Sequence, residues 1–308
     1  MPSADVLECP PGATSAPVLE SYPARQATLP GELIVRRALP RSARRLVGPW
    51  CFLDHYGPIA FGVDRPMAIG PHPHIGLQTV TWLVEGEVLH RDSLGSEQLI
   101  RPGQLNLMTA GSGIAHSEET PGRNSGRLHG VQLWVALPDA RRRGAPGFEH
   151  HDELPVVVLG GAQAVIILGE LGGTRSPATA YSRTVGADIV ARNDGDVHVP
   201  LDLAFEHALF LIDGDVALGA HALEPSTLYY LGTGRDGVTL TARRGSRLLL
   251  LGGLPFGERI LMWWNFVGRT PDEIADARND WEQGTRFGSV AYAGERIPAP
   301  PLSLRAQQ

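Results

Sequence analysis

From about residue 31 onward, short apolar runs alternate with turn residues along the whole chain. Residues 75–84 form a β-branched and aromatic run, closed by the turn-like Glu85-Gly86-Glu87. Residues 88–93, 104–110 and 127–137 have the same character and predict further strands. The second half repeats the style at 156–159, 165–169, 207–212, 227–231, 238–242 and 247–251. Asp213-Gly214, between two apolar runs, is a hairpin signal. Regular strand and turn spacing in both halves predicts an all-β chain built of barrels or sandwiches. Two β-halves of similar length suggest a duplicated domain, although no residue-level repeat is visible.

The pattern also sets boundaries. Residues 1–30 are Pro-rich and aperiodic, which predicts an irregular N-terminal tail. Residues 31–140 form the first domain and 156–308 the second. Between them, 141–155 carries Arg141-Arg142-Arg143 and then His150-His151-Asp152-Glu153, and is expected to be a linker. One helix is well signalled. Thr270-Pro271-Asp272-Glu273 is a capping box with proline at the first helical position. Ile274, Ala277 and Trp281 then share a face, and Gly284 marks the end. This short C-terminal helix is read as a cap packed on a barrel.

Composition removes several chemistries. Of 308 residues, 43% are hydrophobic and 19% charged, enough for a substantial core. All 27 basic residues are arginine, so lysine Schiff bases and lysine phosphate loops are excluded. Cys9 and Cys51 alone cannot build a disulfide framework. A net charge of -6 gives no footprint for nucleic acid. No stretch approaches the ~18–20 apolar residues that span a bilayer, and no signal region opens the chain. A soluble, cytoplasmic protein is expected.

The chemistry lies in two triplets, His72-Pro73-His74 and His116-Ser117-Glu118. In a strand, residues i and i+2 point to one face, so each triplet presents two ligand-type side chains together. If both strands face into one barrel, three imidazoles and one carboxylate converge. Imidazole suits Fe, Ni, Cu and Zn, and the carboxylate adds a harder donor. Gly103, Gly111 and Gly113 punctuate the approach to His116, as a barrel corner requires.

These residues resemble the two motifs of the cupin superfamily. Pro71-His-Pro-His74, Glu85-Gly86, His90-Arg-Asp-Ser93, Met108-Thr-Ala-Gly-Ser-Gly-Ile-Ala-His-Ser-Glu118 and Leu128-His-Gly-Val-Gln-Leu-Trp-Val135 resemble the pirin family more specifically. Trp264-Asn-Phe-Val267 and the helix after it are similar to the pirin C-terminal domain. The resemblance implies a bicupin: two cupin-type β-barrels, with metal in the N-terminal barrel only. It implies His72, His74, His116 and Glu118 as ligands, and iron as the metal, here Fe(II). The donor set also suits Ni, Mn, Cu or Zn. It implies cleavage of quercetin or a related flavonol with O2, in which Glu118 doubles as the catalytic base by releasing its bond to the metal. Two alternatives accompany this reading. One is a non-enzymatic, iron-bearing redox regulator of a partner protein. The other is a small-molecule binding protein or isomerase. Two positions depart from the pattern: Gln78 stands where cupins carry Glu, and Ile75 where many pirins carry Arg.

Other candidates have plainer readings. Glu119 is expected to be a solvated carboxylate on the opposite face from Glu118. His129, Gln132 and Trp134 read as barrel packing, with one of them a candidate to line the pocket. His90 and Asp92 read as a hydrogen-bonded surface pair. His150-His151 reads as polar linker, and His198, His207 and His221 as isolated. The Gly232 to Gly237 glycine pattern precedes a strand rather than a helix, so it is read as a hairpin turn and not a nucleotide loop. Arg141-Arg142-Arg143 and the arginines at 36, 37, 41, 44 and 45 read as a solvated face or as salt-bridge partners.

Overall fold

The computed structural model describes residues 6–9, 16–30, 33–61 and 68–302. The architecture is all-β with a single helix among the described residues, Pro271–Gln283. No described helix is long and apolar enough to cross a membrane.

Each half pairs a large antiparallel sheet with a four-stranded one. In the first half the large sheet runs Gly147–His151, Leu105–Thr109, Leu77–Gly86, Arg127–Ala136, Trp50–Ala60, Ile34–Leu39, Arg25–Thr28. Its four-stranded partner runs Ala68–His74, Ile114–Glu119, Val88–Asp92, Glu97–Ile100. In the second half the large sheet is built around Ala162–Leu171, Thr184–Ala191, Arg247–Gly253, Glu206–Asp213 and Thr227–Gly232. Its smaller partner runs Gly195–Pro200, Gly237–Ala242, Val216–Leu218, His221–Leu223.

The two large sheets pack face to face, which explains why their strands read as continuous apolar runs rather than alternating ones. One apolar cluster unites Trp50, Val80, Trp82, Val131 and Leu133 with Phe210, Leu228, Tyr230, Leu249 and Leu251. The buried indoles bring their own partners. Trp50 Nε1 donates to the carbonyls of Val185 and Gly252, each at 3.1 Å, and Trp82 Nε1 donates to Asp188 Oδ2 at 2.9 Å. The interior of the second barrel is filled by Leu, Ile, Val and Ala side chains.

Several expectations change. The expected irregular tail carries strands in its described part: Glu20–Pro23 joins the second barrel's large sheet and Arg25–Thr28 the first's. Leu7–Cys9 pairs with Ile260–Trp263. Residues 1–5, 10–15, 31 and 32 lie outside the described residues. The expected linker holds the strand Gly147–His151, paired with Leu105–Thr109. These segments are short and polar, and their order comes from partners distant in sequence. Asp213-Gly214 is not a hairpin: the strands on either side, Glu206–Asp213 and Val216–Leu218, belong to different sheets. The turn at Gly232 to Gly237 likewise passes between sheets rather than closing a hairpin.

The helix follows its signals. Thr270 is the N-cap, Gly284 is left-handed at φ 69, and Ile274, Ala277 and Trp281 are buried. They pack with Ile75, Trp263, Trp264 and Phe266 beside the first barrel.

Candidate metal centre

The first triplet sits on an edge strand. Ala68–His74 ends the four-stranded sheet, where Pro71 and Pro73 cost no ladder hydrogen bond. Its neighbour Ile114–Glu119 places His116 opposite His72 and Ile114 opposite His74. On its other side the same strand pairs with Val88–Asp92, setting His116 opposite Asp92 and Glu118 opposite His90.

Three imidazoles meet. The ligand nitrogens of His72, His74 and His116 all lie within 4.8 Å of one another, and all three residues are buried. Nε2 of His74 is 3.1 Å from Nε2 of His116. The opposite ring nitrogens of the first two are already occupied: His72 Nδ1 donates to Gly70 O at 2.9 Å, and His74 Nδ1 to Asn265 O at 3.1 Å. Each Nε2 is thereby left as an unprotonated lone pair. Burial holds all three rings neutral, His72 down to about 4 and His74 and His116 well below the usual imidazole range. Neutral, buried and converging imidazole nitrogens are what a divalent transition metal takes as ligands. The residues present therefore fit a bound metal.

Glu118 lines the same cavity as the triad but is not in the nitrogen cluster. Its Oε1 accepts from Thr81 Oγ1 at 3.4 Å, and burial raises its carboxyl above the ordinary range. Glu118 does not simply follow His116 on one face, because the pairing with Ala68–His74 shifts register between His116 and Glu118.

The cavity beside the triad is about 60 Å³. Its walls include Phe52, Trp134 and Asn265. Phe52 and Trp134 stack at 4.0 Å, and the Trp134 edge meets His74 at 5.3 Å. At the rim the Arg37 guanidinium lies 4.7 Å over Phe52 and forms an ion pair with buried Asp54 at 2.6 Å. A larger cavity of about 610 Å³ lies in the second half, by Arg183, Phe205 and His207; its lining contains a single histidine.

The departures from the cupin pattern point away from the triad. Gln78 is fully buried, and its Nε2 donates to Thr109 Oγ1 at 2.9 Å and to Thr179 O at 3.0 Å. It ties the first barrel to a loop of the second. Ile75 packs under the C-terminal helix and bridges Phe266. Of the strand residues considered, Gln132 and Trp134 line the cavity, whereas His129 pairs with His55, Nε2 to Nε2, at 2.9 Å. Glu119 is half-buried against Arg91. His150 bonds Asn106 Oδ1 at 2.6 Å, and His151 bonds Glu149 at 3.1 Å. The arginine run provides structural ion pairs, Arg142 with Asp139 and Glu273.

Sequence reasoning missed three things. His90 and Asp92 are not a surface pair; they are 3% and 2% exposed, behind His116. Period-two alternation on the neighbouring strand was the available signal, once that strand was known to lie beside His116. Asn265 enters the site from the far end of the chain; its segment Trp264-Asn-Phe-Val267 stood out only as a family resemblance, with nothing local to tie it to His74. Arg37 was read as a salt-bridge partner and is one, to Asp54; that the pair stands in the cavity wall depends on strands that meet only in the sheet.

The fold and site together define a bicupin with a three-histidine centre in its first barrel. Residues 32–135 match the Pirin family model, and 186–288 the Pirin C-terminal cupin domain. The chain is 47% identical over 287 residues to "Putative quercetin 2,3-dioxygenase" of Pseudomonas aeruginosa, covering 92% of this chain and 91% of that protein. It is 40% identical over 286 residues to a "Pirin-like protein" of Caulobacter vibrioides, covering 91% and 98%. A crystal structure titled quercetin 2,3-dioxygenase from Acinetobacter baumannii superposes with a TM-score of 0.90 at 43% identity, covering 93% of this chain and 96% of that one. The chain belongs to the pirin family.

Proposed function

We propose that this chain is a metal-dependent dioxygenase of phenolic substrates, with His72, His74, His116 and Glu118 as the metal ligands. The observation that carries the reading is the convergence of three neutral imidazole nitrogens on an aromatic-walled cavity. The names of the similar proteins from Pseudomonas and Acinetobacter support the reaction class. Fe(II) is the metal proposed, by family resemblance; Ni, Mn, Cu and Zn suit the same donors.

When bound, the metal supplies Lewis acidity toward a phenolic oxygen and an electron couple toward O2. The remaining work falls to the chain. Phe52 and Trp134, stacked on each other, give the cavity an aromatic wall for a phenolic ring to rest against. Glu118 keeps one oxygen on Thr81, and its other oxygen, which would hold the metal, is the proposed acceptor of the phenolic proton once it is released. The cavity of about 60 Å³ is small for a flavonol, so binding one requires side chains of its wall to move. A compact catechol needs less displacement, so both substrate sizes belong in the test.

The test is oxygen consumption by protein reconstituted anaerobically with Fe(II) and given quercetin or a simple catechol, beside a Glu118→Ala variant. The expected result is substrate-dependent uptake that falls about 10²-fold or more in the variant. No uptake with either substrate, at one iron per chain, overturns the proposal.

A further inference from the structure

We propose that Asp92 and His90 form a buried relay that fixes the tautomer of His116 and so aims its Nε2 lone pair at the metal. The inference rests on the metal-centre reading above and adds two positioning residues to it. His116 Nδ1 lies 3.3 Å from His90 Nδ1, and His90 Nε2 lies 3.2 Å from Asp92 Oδ2. The other carboxylate oxygen is committed, since Asp92 Oδ1 accepts from the backbone N–H of Leu94 at 2.9 Å and of Ser96 at 3.0 Å. His90 is clamped in plane by Phe148, stacked at 4.5 Å and 13°.

With His90 neutral, these contacts allow one order of donors, and it leaves the Nε2 lone pairs of His74 and His116 facing each other at 3.1 Å across the place a cation would take. Asp92 is a carboxylate and only accepts, so His90 Nε2 must donate to it. A neutral imidazole that donates from Nε2 accepts at Nδ1, so His116 Nδ1 donates to His90. His116 Nε2 is then unprotonated and free for the metal. His72 and His74 achieve the same result through a single backbone carbonyl each. His116 has no carbonyl at Nδ1, and the relay replaces it. Partners of this kind orient the ligand ring, and losing them costs about 10–100-fold in metal affinity.

The relay has a signature that simple packing lacks. In Asp92→Asn, the side-chain oxygen stays on Leu94 and Ser96, because only an acceptor satisfies those N–H groups. The new NH2 then faces His90 Nε2, which must accept. His90 donates from Nδ1 instead, and His116 is driven to carry its proton on Nε2, against the metal. Asp92→Ala leaves His90 free to take either tautomer. The isosteric substitution is therefore more harmful to metal binding than the truncation, whereas alanine does more damage to the turn.

The experiment has two readouts. Co(II) titration, followed by its visible absorption, gives affinity for wild type, Asp92→Asn, Asp92→Ala and His116→Ala. The ring ¹⁵N shifts of His116 in metal-free protein give the tautomer directly. Expected are a 10–100-fold weaker Co(II) affinity in Asp92→Asn, a smaller loss in Asp92→Ala, and a proton on Nδ1 in wild type but on Nε2 in Asp92→Asn. Asn within twofold of wild type, alanine as harmful as Asn, or an Nε2 proton in wild type overturns the relay. Wild type that fails to bind Co(II), or binds it no better than His116→Ala, overturns the metal reading instead, and the ¹⁵N shifts still decide the tautomer.

Discussion

At the level of single residues, Gly76 shows how tightly the site is bound to the rest of the chain. It sits between the strands Ala68–His74 and Leu77–Gly86 with φ +70. A Cβ there would lie 2.0 Å from Val267 O. Its N–H donates to Gly111 O at 2.9 Å, and its carbonyl accepts from Leu137 N at 3.0 Å. The close approach matters because Val267 belongs to the hairpin that delivers Asn265 O to His74. Gly76→Ala combines a left-handed backbone with a backbone clash, so it is expected to cost at least about 2 kcal/mol. Thermal unfolding should show a clear drop in Tm, and metal affinity should weaken with it. An unchanged Tm would show that the Val267 segment moves away freely.

At the level of elements, the C-terminal helix is the part whose sequence signals and structure agree best, and it can be tested by position. Thr270 Oγ1 accepts from Glu273 N at 3.2 Å, so Thr270→Ala should cost about 1 kcal/mol. Trp281 is buried against Phe287, and its Nε1 donates to Ile297 O at 2.9 Å; Trp281→Ala should cost about 3–5 kcal/mol. Urea unfolding of both variants checks the ranking, and equal losses would contradict it. The capping box closes differently from expectation: Glu273 Oε2 accepts from Arg269 N at 2.7 Å, one residue before the cap. Strands with strong local patterns, such as Val156–Leu159 and Val88–Asp92, were legible for the same reason as the helix. Trp50–Ala60 was not, because it is buried along most of its length and shows no alternation. The weakly patterned strands at 7–9, 20–23 and 147–151 gain order only from distant partners. For the site, the histidines were legible because period two needs only local sequence. The bulge at Glu118, the burial of His90 and Asp92, and the arrival of Asn265 all depend on which strands become neighbours.

At the level of the whole molecule, the two barrels share a buried polar contact that makes their union sensitive to acid. His55 Nε2 lies 2.9 Å from His129 Nε2 on the adjacent strand, while His55 Nδ1 reaches Ser226 Oγ of the second half at 3.3 Å. Two ring nitrogens at that distance share one proton, so adding another sets N–H against N–H. Burial first, then His129 and Arg36, push His55 down to about 3; burial and Arg247 also lower His129. In the unfolded chain a histidine takes its proton near pH 6.5. Between pH 6.5 and about 3 the unfolded state therefore binds a proton that folded His55 refuses. Stability is complete above that window and falls as pH drops through it, by about 1.4 kcal/mol per pH unit for each such group. Buried His207, down to about 4, acts in the same direction. Urea midpoints should therefore be level from pH 7 to 8 and decline from pH 6 to 4. His55→Leu removes one refused proton, so its decline should be shallower by about one proton's worth, even if it is less stable at pH 7. An identical slope in the variant would mean that His55 is protonated in the folded protein, and that the contact between the barrels tolerates the charge.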